Sequence, residues 1–315
     1  MSSSFLVTGA TGQQGGGTAR QLLTLGAKVH ALVRDPTSEA SRSLEALGAT
    51  IFKGDFLDID SIRAAVSGVT GVFLNTFGIP PNPYVTNTEI QQAKNVIAAA
   101  LETSTVKTMV VSTVVCANRH DEFLKKDPNY KLAPYYSVKQ AVEEAVRGAK
   151  FQNYTVLRPA WLMHNYLDFM PRYNWPDLEV GHTMEVSYSP TDRIAHLDPQ
   201  DVGKFAAAAL LEPEKYNRHE IDLGAENLTL EDVAKVLSDA SGMKITAKFR
   251  SLEETKSVTP DQVPGILYQL HMVSHPNVYE VDVSKIQKYA IRTTTFAEYF
   301  ARETEGKAIR RTLNV

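Results

Sequence analysis

Residues 7–17 read Val-Thr-Gly-Ala-Thr-Gly-Gln-Gln-Gly-Gly-Gly, directly after the apolar start Phe5-Leu6. A glycine where a strand ends permits a tight turn, a second lets backbone approach a bound group, and a third allows a helix to sit close on the sheet. The helix that follows offers free N–H groups and a partial positive charge to an anion. The spacing is G-x-x-G-x-x-G through Gly9, Gly12 and Gly15. Glycines cluster in many ordinary turns, but this loop lies between the first strand and the first helix of a βαβ unit, where a diphosphate would bind.

The rest of the first 160 residues keeps that rhythm. Short apolar runs at Phe5–Thr8, Lys28–Val33, Thr50–Lys53, Gly71–Thr76, Val106–Thr113 and Tyr154–Arg158 are expected as strands. They are apolar throughout rather than alternating, which suits strands buried on both faces. Between them, Thr18–Leu25, Glu39–Leu47, Ser61–Val66, Thr88–Leu101 and Tyr136–Ala149 carry helical spacing, and Gly26, Gly48 and Gly68 stand where helices stop. The fold class expected is α/β: a doubly wound parallel Rossmann sheet with a smaller α/β substrate-side lobe. Residues 1–160 form the dinucleotide domain, with segments of roughly 190–225 returning to it, and 161–315 mainly form the lobe. In the later part, Arg193–Leu197, His219–Leu223 and Lys244–Phe249 look strand-like, Asp201–Leu211 and Thr229–Ser241 helical, and a further helix is expected after Thr294.

Composition narrows the classes of function. A net charge of −3 over 315 residues, without a basic cluster, argues against nucleic acid. The single cysteine, Cys116, excludes an internal disulfide and a thiolate metal cluster. The eight histidines form no H-E-x-x-H motif, and no metal site is expected. No run approaches the roughly 18 apolar residues of a membrane span, and the N-terminus does not read as a signal peptide. The expected location is the cytoplasm, with the nucleus as an alternative. His120, after Arg119 in a polar loop, is expected to be solvated.

The second strand ends in Arg34, where a site that prefers NAD usually places an acid for the ribose 2′-hydroxyl. A guanidinium suits a 2′-phosphate, so the expected cofactor is NADP(H). Asp35 follows at once and would reach the hydroxyl in another loop geometry. The cofactor site is expected to draw Gly9, Thr11, Gly12, Gln13, Gln14 and Gly15 from the loop. Asp55 and Phe56 would meet the adenine, although an Asp that opens a turn is as ordinary. Thr76, Phe77, Lys139 and Pro159 complete the set.

Tyr135 and Lys139 form Y-x-x-x-K at the start of a helix, about one turn apart and on one face. An ammonium beside a phenol favours the phenolate and makes the tyrosine a usable acid/base. The same Lys139 can bond the nicotinamide ribose, while the neighbouring Tyr136 is free to pack. A hydroxyl at the end of strand five would polarise a substrate carbonyl. Thr113 is taken for this role, although a one-residue register separates it from Ser112.

With the loop, Arg34, Lys139 and Leu157-Arg158-Pro159 in place, the chain resembles the NmrA-like atypical short-chain dehydrogenase/reductases. Its loop is similar to that family's G-A-T-G-x-Q-G-G signature, and Arg158–Asn165 to its R-P-x-x-F-M-E-N segment, with His164 in place of the acid. Gln92, Lys94, Asn95, Asp192, Asp198 and Asp201 also fall at family-like positions. The resemblance implies one of two roles. The first is an NADPH-dependent reductase of a carbonyl, quinone or activated double bond, with Tyr135 donating the proton; Val114 stands where extended reductases carry their hydroxyl. The second is a non-catalytic NADP(H) sensor that binds a protein partner. Trp161, Met163, Tyr166, Phe169, Met170, Tyr173 and Trp175 would wall a pocket for an apolar or aromatic small molecule, or would be the core of the lobe.

Overall fold

The computed structural model describes residues 3–76, 87–168 and 170–315; Phe77 and Phe169 lie outside the described residues. The chain divides into two compact units. The first takes residues 1–122, 133–159 and 199–222, the second 123–132, 160–198 and 223–315.

The first unit is built on one sheet. Its strands are β1 (Ser4–Val7), β2 (Lys28–Val33), β3 (Thr50–Lys53), β4 (Gly71–Asn75), β5 (Thr108–Ser112), β6 (Asn153–Pro159) and β7 (His219–Leu223). They lie in the order β7-β6-β5-β4-β1-β2-β3, and every neighbouring pair from β3 to β6 is parallel. Phe5, Leu6, Val7, Val72, Phe73, Leu74, Met109, Val110 and Val111 are all buried. Only a sheet covered on both faces hides consecutive strand residues in this way. The cover comes from α1 (Gln13–Thr24), α2 (Glu39–Ala46), α3 (Ile59–Val66), α4 (Asn87–Glu102), α5 (Ala133–Gly148) and α6 (Pro199–Leu211). Gly26, Gly48 and Gly68 follow α1, α2 and α3 with φ of +79°, +100° and +76°, the left-handed stop that glycine adopts without a steric penalty.

The strand order reverses between β1 and β4, and in open sheets ligands bind off the carboxyl ends of the strands at such a point. Thr8 ties the two tips together there. Its amide and hydroxyl both donate to the Phe73 carbonyl, at 3.1 and 3.0 Å, and its Oγ1 accepts from the Asn75 amide at 2.9 Å. On one face α1 crosses α6 so closely that a Cβ on Gly203 would stand 2.4 Å from the Gly17 carbonyl carbon. Two facing glycines make that approach possible.

The second unit holds a sheet of three short strands, with Ile194–Leu197 antiparallel to Glu226–Leu228 and parallel to Trp161–Leu162. A two-stranded sheet pairs Thr183–Val186 with Thr246–Phe249. The helix Leu230–Ser241 opens on a capping box between Thr229 and Asp232 and closes at Gly242. Its core centres on Tyr166, which stacks on Trp175 at 4.8 Å, meets Phe296 edge-on at 5.3 Å, and hydrogen-bonds His196 Nε2 at 2.7 Å. Met163 and Tyr166, read above as pocket wall or core, are core. Among the described residues no helix is long and apolar enough to cross a membrane, and no group of His, Cys, Asp and Glu is arranged to hold a metal ion.

Candidate active site

The glycine loop is folded tightly on itself. Gly12 N donates to the Gly9 carbonyl at 2.9 Å and Gly16 N to the Gly12 carbonyl at 2.8 Å. Gly9 has φ +61°, and a Cβ on Gly15 would lie 2.2 Å from the Gly9 oxygen and 2.7 Å from the Thr8 oxygen. No side chain fits at Gly15, whose bare Cα lets the start of α1 lie against the end of β1. Thr11, Gly12 and Gln13 are exposed. Helix α1 begins with no side-chain cap and no acid in its first turn, so its first N–H groups and the positive end of its dipole are available to an anion. The residues present fit a dinucleotide.

Around the loop, the end of β2 separates the two candidate nucleotide readers. Asp35 Oδ1 accepts from the Thr37 amide at 2.8 Å and from the Thr37 hydroxyl at 2.6 Å. Those bonds, the hydroxyl's first, hold its carboxyl below the usual range. Asp35 is thus committed to a local turn. Arg34 is exposed. At the end of β3, Asp55 is exposed and accepts from the Leu57 amide at 2.9 Å, and Phe56 packs half-buried on the sheet's helical cover. Both alternatives for Asp55 remain compatible with that turn. Pro159 is buried as the last residue of β6.

Tyr135 and Lys139 lie on one face of α5, with Lys139 Nζ 5.6 Å from the centroid of the Tyr135 ring. Tyr136 is buried beneath, edge-on to Tyr135 at 5.3 Å. The alternative of Tyr136 as a packing residue is the one realised. Lys139 also pairs with Glu89 of α4, whose Oε1 accepts from the Thr76 hydroxyl at 2.7 Å. Thr76, expected at the cofactor, therefore reaches Lys139 through Glu89. Glu89 is a member of the site that no sequence motif marks. Its signal was an acid at the start of a helix whose following inward positions, Ala93, Val96, Ile97 and Ala100, are apolar.

Thr113 does not do what was expected of it. It is buried, and its hydroxyl donates to Glu143 Oε1 at 2.7 Å, so its only proton is committed inside the protein. Glu143 is itself fully buried and accepts from Arg158 Nε and Nη2 at 2.8 and 2.7 Å and from Arg147 Nη2 at 2.6 Å. Arg158 pairs further with Glu220 and, at 3.5 Å, with Asp222. Thr113 therefore belongs to a charge network that joins α5, β6 and β7. Ser112, one residue earlier on the opposite side of the strand, donates to Gln14 Oε1 of the loop at 2.7 Å. Strand β5 supplies a hydroxyl that braces the loop rather than one free for a carbonyl.

Other sequence candidates resolve in the same way. His120 is buried, not solvated, and burial lowers its pKa. Cys116 is buried, and burial pushes its thiol up to about 12. Asp192 accepts from the Ser189 and Asn277 amides at 3.0 and 3.1 Å, Asp198 pairs with Arg302, and Asp201 pairs with Lys204 at 2.5 Å. These three acids hold structure together.

A family model for the NmrA-like family matches residues 1–300. The chain belongs to the NmrA-like family. It is 31% identical over 249 residues to the NmrA-like family domain-containing oxidoreductase notA of Aspergillus sp. (strain MF297-2), covering 72% of this chain and 69% of that one. It is 28% identical over 275 residues to the oxidoreductase hkm9 of Aspergillus hancockii, covering 82% and 78%. Among solved structures, NmrA, a negative transcriptional regulator in complex with NADP, aligns with a TM-score of 0.75 at 19% identity, covering 98% of this chain and 97% of that one. The NADPH-dependent quinone oxidoreductase QOR2 of Escherichia coli, complexed with NADPH, aligns with a TM-score of 0.72 at 21% identity, covering 94% and 98%. At such identities the NmrA-like chain and these structures share a fold; the two structures themselves differ in role.

Proposed function

We propose that this NmrA-like chain is an NADPH-dependent oxidoreductase that reduces a carbonyl, quinone or activated double bond of a small apolar or aromatic molecule. The observation that carries the reading is the pair Tyr135 and Lys139, 5.6 Å from ring centroid to ammonium, in the same unit as a glycine loop closed to side chains. The loop from Gly9 to Gly15 would hold the diphosphate, with Thr11, Gln13 and Gln14 beside it, Arg34 the 2′-phosphate, and Asp55 and Phe56 the adenine side. When bound, the cofactor supplies a hydride. Tyr135 supplies the proton that a reduced oxygen needs, and solvent restores it. Lys139 holds ribose hydroxyls and keeps positive charge by the phenol. Thr113 has no part, because its proton is bound to Glu143. Relatives named as oxidoreductases support this reading.

A second reading, a non-catalytic NADP(H) sensor with a protein partner, is favoured by one observation. Glu89 takes the ammonium of Lys139 and so opposes its effect on Tyr135. The likeness to the NmrA regulator points the same way. The deciding experiment is NADPH oxidation against a panel of quinones and aldehydes, with Tyr135→Phe and Lys139→Met alongside. An oxidoreductase turns over at least one of them and loses about 100-fold or more in kcat with Tyr135→Phe. Submicromolar NADPH binding with no turnover on the panel assigns the sensor.

A further inference from the structure

Three consecutive glycines, Gly15, Gly16 and Gly17, stand inside α1, although glycine is the weakest helix former after proline. Two of them answer to backbone. A Cβ on Gly15 would strike the Gly9 and Thr8 oxygens, and one on Gly17 would stand 3.1 Å from the Gln200 Cα of α6. Gly16 is different. The place its Cβ would take lies 3.2 Å from both Nη1 and Nη2 of Arg20, and 3.1 Å from the Ala10 carbonyl oxygen of the loop. The Arg20 guanidinium is thus laid back over the preceding turn, where a side chain at position 16 would be. Gly16 is buried and Arg20 is exposed.

Residues four apart share a face of a helix, and the neighbouring glycines show which way this face looks. Gly15 is turned to the end of β1 and Gly17 to α6, which packs on β4 and β5. Gly16, about 100° from each, takes the remaining side of α1, along the sheet from β1 toward β2. Arg34 follows β2 on that side.

The fold places no opposite charge there. Among the described residues no carboxylate pairs with Arg20, α1 has no acid in its first turn, and Asp35 is engaged with Thr37. A cation one turn from the positive end of a helix is unfavourably placed unless an anion joins it. A phosphate monoester carries roughly −1.5 to −2 charges at neutral pH, more than one guanidinium neutralises.

We propose that Arg20, seated on the bare Cα of Gly16, is a second cation for the 2′-phosphate of NADP(H) and shares that charge with Arg34. The proposal rests on the reading of the glycine loop and Arg34 as the cofactor site, and it adds the residue that completes the preference for NADP(H) over NAD(H).

The test is calorimetry on the full chain and needs no turnover. Adenosine 2′,5′-bisphosphate and adenosine 5′-phosphate differ only in the 2′-phosphate; NADPH and NADH are titrated beside them. Arg20→Gln should weaken NADPH and the bisphosphate about tenfold and leave NADH and the 5′-phosphate where they were. Its Tm without nucleotide should not move. Arg20→Lys keeps the charge and should recover part of the loss. Gly16→Ala puts a methyl where the guanidinium lies, so it should lower the preference for NADPH over NADH in wild type and leave it unchanged in Arg20→Gln. Equal weakening of NADPH and NADH by Arg20→Gln overturns the proposal, because the guanidinium then meets the diphosphate or the loop. So does an Arg20→Gln variant that binds the bisphosphate like wild type. A preference lost in Arg34→Ala but kept in Arg20→Gln removes Arg20 alone and spares the cofactor reading. Wild type that binds neither nucleotide overturns that reading and the proposal with it.

Discussion

Glu89 and Lys139 meet in an ion pair although 50 residues separate them in sequence, and their side chains are only 7% and 12% exposed. The pair fixes the ammonium that lies over Tyr135, and the Thr76 hydroxyl fixes the carboxylate in turn. Removing one partner of so buried a pair leaves a charge without compensation, whereas removing both does not. Glu89→Leu alone should lower the unfolding free energy by roughly 2–3 kcal/mol, and adding Lys139→Met should restore part of it. Urea denaturation of the double-mutant cycle measures this. Strict additivity of the two single losses contradicts the coupling.

Gly15 and Gly203 are closed to side chains for different reasons. A Cβ on Gly15 would enter the turn of the loop, 2.2 Å from the Gly9 oxygen, and one on Gly203 would enter the α1–α6 crossing, 2.4 Å from the Gly17 carbonyl carbon. Gly15→Ala should weaken NADPH at least tenfold in calorimetry, because the backbone that would clasp the diphosphate must shift. Gly203→Ala should cost roughly 1–3 kcal/mol of stability through overpacking, read as a fall in Tm. An alanine at position 15 that binds NADPH as tightly as wild type removes the loop from the cofactor site.

The proposed role of Arg34 in cofactor choice rests on Asp35 being engaged with Thr37. Arg34→Ala should lose roughly 1.5–3 kcal/mol of NADPH affinity, about tenfold or more, with NADH little changed. Asp35→Ala should leave NADH affinity where it was. Parallel titrations of both nucleotides decide the matter, and an unchanged preference for NADPH in the Arg34 variant refutes the assignment.

His164 and His196 of the second unit are held near a pKa of about 4 by burial, from an ordinary 6.5. Both are neutral in the fold at pH 7, and the unfolded chain binds protons more readily. Their contribution to stability is therefore complete above about pH 6.5 and is lost as the pH falls toward 4. Between pH 7 and 5 each should remove roughly 2 kcal/mol. His164 Nδ1 has no hydrogen-bond partner among the described residues, so His164→Gln should cut the acid-dependent loss by about half. Denaturant titrations at the two pH values test this, and an identical loss in wild type and variant rules out His164 as a source.

The parallel sheet, the place of its strands along the chain, the helix stops at Gly26, Gly48 and Gly68 and the glycine loop were legible in the sequence, because each depends on local periodicity or on the missing side chain of a glycine. So was the shared face of Tyr135 and Lys139, which the pitch of one helix dictates. The tertiary structure decided what required two distant segments to meet. It directed the Thr113 hydroxyl to Glu143, gave Lys139 its partner in Glu89, set Gly203 against Gly17, buried His120, and turned Trp161 edge-on to Trp175. Local spacing says which residues share a face; only packing says what that face meets, and the ionic and hydrogen-bonding state of a buried group is set by what it meets.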